Sequence, residues 1–93
     1  MVLGILTVVM SVTESHSLKD KRQVVKSQLE VIRNRFNVSA AEVGHLDSRR
    51  DAELVFACVS NEKSVANRML DRILRHIESN RLCEVIQSSL EFV

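Results

Sequence analysis

The chain has 93 residues, 45% of them hydrophobic and 27% charged, and no proline. That length predicts one domain spanning residues 1–93 with a modest core, and it excludes a disordered tail. A formal charge of +1 excludes a histone-like protein that holds nucleic acid by bulk charge, and the absence of Trp and Tyr, with only three Phe, almost excludes a surface built on aromatic stacking.

The first predicted element is a strand over Val2–Val12, a β-branched and aliphatic run interrupted by Gly4, Thr7 and Ser11. It is too short to cross a bilayer, no basic segment precedes it, and no small-residue cleavage site follows it. The expectation is a cytoplasmic protein with no membrane attachment. Thr13–His16 breaks the strand. Ser17 then reads as a helix N-cap, with Asp20 placed to favour the positive helix terminus. Leu18, Val25, Leu29, Ile32 and Phe36 recur at helical spacing and predict one amphipathic helix that ends near Phe36.

A second strand is predicted over Val38–Leu46, weakened by Glu42 and Gly44. Asp47, Ser48, Arg49 and Arg50 form a polar hairpin connection to a third strand, Ala52–Val59. Ser60 reads as the cap of a second helix, striped by Val65, Met69, Ile73 and Ile77 and flanked by Ala66, Leu70 and Leu74. That helix ends at Asn80 or Arg81, and Leu82–Val93 is the fourth strand. Cys58 and Cys83 lack a CxxC spacing and read as reduced, buried thiols.

The order βαββαβ predicts an α+β, ferredoxin-like sandwich: one antiparallel sheet in the order 4-1-3-2, with both helices on one face. Alternation assigns Val2, Leu6, Val8, Met10, Val12, Leu54, Phe56, Cys58, Ile86, Leu90 and Phe92 to the helix side. The opposite face collects Leu3, Ile5, Val9, Val55, Ala57, Val59 and Val85, with Thr7, Glu53 and Gln87. It is too apolar for solvent, so Leu3, Ile5, Val9, Val55 and Val59 are candidates for a homodimer face.

The same topology brings three connections to one end: Thr13–Ser17, Leu46–Asp51 and Ser79–Leu82. His16, His45 and His76 lie near that end, with Arg81 in the last connection. Ser17, Lys19, Lys21, Arg22, Arg49 and Arg50, together with the N–H groups opening the first helix, form a candidate site for an anion such as an RNA phosphate. The competing reading is a solvated charged helix face. The histidines show no HxH or HExxH spacing, so no metal is expected, and no other cofactor is implied. GxSxG, P-loop and GxGxxG patterns are absent. Glu14 and Glu42 lie on elements that need not meet, and Ser15, His16 and Ser17 lack an orienting third group. The expectation is therefore a noncatalytic protein.

The strings Ser17-Leu18-Lys19-Asp20-Lys21-Arg22, Arg35-Phe36-Asn37-Val38-Ser39, Ala41-Glu42-Val43-Gly44-His45, Ala52-Glu53-Leu54 and Val59-Ser60-Asn61 resemble the YlxP-like family of small bacterial proteins of unknown function. The resemblance covers essentially the whole chain. It implies a ferredoxin-like fold, in agreement with the order above. Family members are often encoded among genes for transcription elongation, translation initiation and ribosome maturation, so the resemblance also implies an RNA- or ribosome-linked role. Acylphosphatases share the fold, but their Gly-rich phosphate loop has no counterpart in Thr13–Lys19. RNA recognition motifs share it too, but they stack bases on sheet aromatics, and here the strand residues Phe56 and Phe92 are assigned to the helices. The sequence therefore supports an RNA- or ribosome-associated binding protein that contacts phosphates and shape. The alternative is a dimeric small-molecule-binding regulatory module with a pocket near Gly4 or Gly44.

Overall fold

A computed structural model describes all residues from Met1 to Val93. In chain order the elements are β1 (Val2–Val12), α1 (Leu18–Arg35), β2 (Ser39–Gly44), β3 (Asp51–Ser60), α2 (Lys63–Glu78) and β4 (Cys83–Phe92). The four strands form one antiparallel sheet in the order β2-β3-β1-β4. α2 lies across β1, β3 and β4, and α1 lies over β2. This is the ferredoxin-like α+β sandwich, in the strand order expected from right-handed crossovers.

The core between sheet and helices is apolar and continuous. Leu6, Val8, Met10 and Val12 of β1 meet Ala52, Leu54, Phe56 and Cys58 of β3, and Val25, Leu29, Ile32, Ala66, Leu70, Ile73 and Ile77 close over them. Gly4 sets how closely α2 can approach. A Cβ there would stand 2.9 Å from Leu70 Cδ1 and 3.4 Å from the Ala66 Cβ. Burial pushes the Cys83 thiol up to about 11 and raises that of Cys58 as well, where a hydrogen bond from the Gly4 backbone partly offsets desolvation.

Two elements, β4 and α2, differ from the sequence expectation. In β4 the register against β1 shifts between Val9 and Met10, so that Val9 pairs with Gln87 but Met10 with Val85. The bulge reverses the alternation on one side of it. Val85 therefore turns inward against the core, and Ile86, expected inside, is exposed. In α2 the buried positions are Ala66, Leu70, Ile73 and Ile77. The first half of the helix is turned by about one residue from the expected stripe, leaving Val65 exposed and Met69 half-buried. The N-cap of α2 is Glu62, without a side-chain cap; the Ser60 hydroxyl instead accepts from the Glu62 N–H at 3.1 Å.

Candidate anion-binding site

The expected meeting of three connections at one end is drawn together by hydrogen bonds. The Ser15 hydroxyl donates to the Arg49 carbonyl at 2.7 Å, joining the first connection to the hairpin. The Thr13 N–H donates to the Leu82 carbonyl at 2.8 Å and the Thr13 hydroxyl to the Arg81 carbonyl at 3.1 Å, joining it to the third. Lys19, Arg22, Arg49, Arg50 and Arg81 are exposed on these segments, and none has a carboxylate partner.

Two of the six candidates do not belong to that set. Lys21 is fully buried: its ammonium pairs with Glu42 Oε2 at 2.9 Å and donates to the His45 carbonyl at 3.1 Å. Glu42, paired with the buried Leu54, faces the helix side of the sheet by ordinary alternation, ahead of a register shift between Glu42 and Gly44. His45 adopts the left-handed conformation, φ 57°, and its carbonyl also accepts the Ser48 N–H. An external anion would have to displace Glu42 from a buried cation, so Lys21 is a structural ion pair rather than a binding group.

Ser17 is the helix cap the sequence predicts, and that role uses its hydroxyl oxygen. Ser17 Oγ accepts from the Asp20 N–H at 3.0 Å, while Asp20 Oδ2 accepts from the His16 N–H at 3.2 Å. These two bonds, a serine N-cap and an Asp20 contact to the residue before it, satisfy donors at the helix start and set a carboxylate over the positive terminus. The α1 N-terminus is accordingly much less open to an anion than its basic sequence suggests.

Both corrections had a signal in the sequence. Lys21 stands four residues before Val25, and Gln28 three after it, so both fall in the buried phase of α1. Gln28 is indeed buried: its Oε1 accepts from Asn80 Nδ2 at 2.6 Å, and its Nε2 has no partner.

A second basic region was not anticipated. The turn of α2 that leaves Val65 exposed and Met69 at the margin of the core borders a groove against the end of α1. The groove has a volume of about 230 Å³ and is lined by Arg35, Phe36, Asn37, Val65, Arg68, Met69 and Arg72. The Arg35 and Arg72 guanidiniums sit 5.8 Å and 5.6 Å from the centre of the half-buried Phe36 ring. Arg35 Nη1 also approaches His76 Nδ1 at 3.4 Å. The i,i+4 spacing of Arg68, Arg72 and His76 was the available signal.

The five candidate dimer residues all lie on the sheet face away from the helices: Leu3 opposite Val59, with Ile5, Val9 and Val55 in the same phase. Ser39, Ala41, Val43, Val55 and Ala57 extend that face into a shallow apolar depression. Gly4 is covered by Leu70 and Ala66, and Gly44 by Glu53, so neither glycine opens a cavity. No group of three or more His, Cys, Asp or Glu side chains is arranged to hold a metal, and no helix is long and apolar enough to cross a membrane.

The fold and these surfaces define a small ferredoxin-like protein with exposed cationic regions and an uncovered apolar sheet face. The family described as "Protein of unknown function (DUF503)" matches residues 3–90, and the chain belongs to it. It is 36% identical over 66 residues to the "Uncharacterized protein YlxP" of Bacillus subtilis (strain 168), a match that covers 71% of this chain and 72% of that protein. It is also similar in structure to the de novo designed protein Foldit4, with a TM-score of 0.56 at 16% identity over 98% of this chain and 96% of that one. That likeness concerns the fold alone.

Proposed function

We propose that this chain is a noncatalytic, cytoplasmic RNA- or ribosome-associated protein that meets phosphates through the end where its three connections join. The observation that carries this reading is the convergence of Lys19, Arg22, Arg49, Arg50 and Arg81, all exposed and without a carboxylate partner, on segments tied by the Ser15 and Thr13 hydrogen bonds. Exposed cations on a nearly neutral chain favour phosphate contacts that depend on salt and discriminate weakly among sequences. The apolar outer face supports a homodimer in which Leu3, Ile5, Val9, Val55 and Val59 are covered by a second copy. Replacing Ile5 by Lys would place a charge in that interface and release monomer; a stable monomer of the unmodified protein in sedimentation at micromolar concentration would exclude the dimer.

The RNA reading is tested by Arg22→Glu/Arg49→Glu. The expected outcome is loss of comigration with ribosomal particles at low salt, a binding slope against salt lower by about one unit per phosphate no longer neutralised, and an unchanged melting temperature. Undiminished association of the folded double variant at low salt would make this end a solvated surface.

A further inference from the structure

The groove between the end of α1 and the first half of α2 lies outside the proposed connection-end site. Its lining contains three guanidiniums, from Arg35, Arg68 and Arg72, and no carboxylate. None of the three is in a salt bridge; the pair nearest in sequence, Arg75 with Asp71 at 3.0 Å, leaves Arg72 and Arg68 free. Charge of one sign, gathered in a concavity and not neutralised internally, is complementary to an anion.

The rest of the lining narrows the kind of anion. Phe36, Val65 and Met69 give the groove an apolar part directly beside the cations. Arg35 and Arg72 both lie within cation–π range of the Phe36 ring, which restrains their guanidiniums while leaving edge N–H groups to grip an oxyanion as a fork. A ligand that fills the groove must carry negative charge at one point and a flat apolar group at the next. A nucleotide unit has that alternation, whereas an Asp- or Glu-rich peptide has charge but nothing to lay on Val65 and Met69. The volume of about 230 Å³ is below the roughly 300–1,000 Å³ of pockets that enclose a small molecule, which suits one unit of a longer chain passing through. Arg68 and Arg72 stand one helical turn apart, about 6 Å along the axis, a separation that adjacent phosphates of an extended strand can match.

We propose that this groove binds single-stranded nucleic acid, with phosphates on Arg68, Arg72 and Arg35 and a base against Phe36 and Met69. The ligand class is that of the proposed function, RNA in that reading, but the site is separate from the connection end. It contributes base stacking, which the connection end lacks, and so predicts a preference for unpaired segments.

The test measures fluorescence anisotropy of a short labelled single-stranded RNA with the unmodified protein, with Arg68→Glu/Arg72→Glu and with Arg22→Glu/Arg49→Glu, at several salt concentrations. Melting temperatures are recorded for each, and Arg68→Gln/Arg72→Gln replaces the charge reversal if that variant is unstable. The groove variant should bind about tenfold or more weakly at low salt, with a slope lower by roughly 0.7 for each phosphate no longer neutralised. Phe36→Leu should weaken binding while leaving the slope unchanged, because it removes stacking and no charge. Unchanged affinity in the folded groove variant overturns the proposal; if the connection-end variant alone loses binding, the proposed function stands and the groove does not. If polyglutamate displaces the RNA from the groove as well as unlabelled RNA does, the groove is an acidic-peptide site and the assignment falls. No binding of the single strand by the unmodified protein overturns the groove proposal, while the connection-end reading is still decided by comigration with ribosomal particles.

Discussion

The two basic regions of this molecule differ in how their charges are arranged along the chain and in space. At the start of α1 the run Leu18-Lys19-Asp20-Lys21-Arg22 is dense in charge, yet Lys21 is withdrawn into a buried pair with Glu42 and Asp20 is committed to the helix cap. Glu14 and Asp47 lie on the same connections, so the end is mixed in sign. In the groove, by contrast, Arg35 comes from one helix and Arg68 and Arg72 from the other, and no acid lines the space between them. A charge run in sequence follows the helix around its circumference and divides between inside and outside. A cationic site in space needs residues from one face of each element.

The largest way to break this comparison is to remove the partner of Lys21. Glu42→Ala leaves a fully buried ammonium with only the His45 carbonyl and should cost about 3–5 kcal/mol in denaturant unfolding, because its desolvation is no longer offset. A loss within about 0.5 kcal/mol would return Lys21 to the exposed cations. Next in size is the rotation of α2 that opens the groove. Leu70→Ala should cost about 2–5 kcal/mol and Val65→Ala under about 0.5, and equal costs would restore the stripe expected from sequence.

The third test reads the packing under the connection end through Cys83. Its folded thiol ionises at about 11 against an ordinary value of 9.0, because of burial. Between those values the unfolded chain loses its proton while the folded chain keeps it, so folding stability falls as pH rises. The unfolding free energy should be flat below about pH 9 and fall as the pH rises towards 11, less steeply in Cys83→Ala. A pH-independent profile would mean that Cys83 is open to solvent. The smallest effect concerns Ser17. As a cap, Ser17→Ala should lower stability by about 1 kcal/mol and leave RNA affinity unchanged; the reverse pattern would make it a ligand-binding group.

Strand and helix order, the inward phase of β1 and β3 and the cap at Ser17 were all legible from the sequence, because each depends on local periodicity or on a side chain meeting its own backbone a few residues away. The sandwich followed from that order, since crossover handedness leaves few arrangements. The fate of Lys21 was not legible in this way. Helical phase placed it inside, but only the packing of α1 over β2 supplies the Glu42 carboxylate that makes its burial tolerable. Val85 and Ile86 exchanged faces for a similar reason: one extra residue in β4 reverses an alternation that composition does not mark. The arginine groove depends on tertiary packing in the same way. Its residues are far apart in the chain, and they meet because core packing rotates α2 until Val65, Arg68, Met69 and Arg72 face the end of α1.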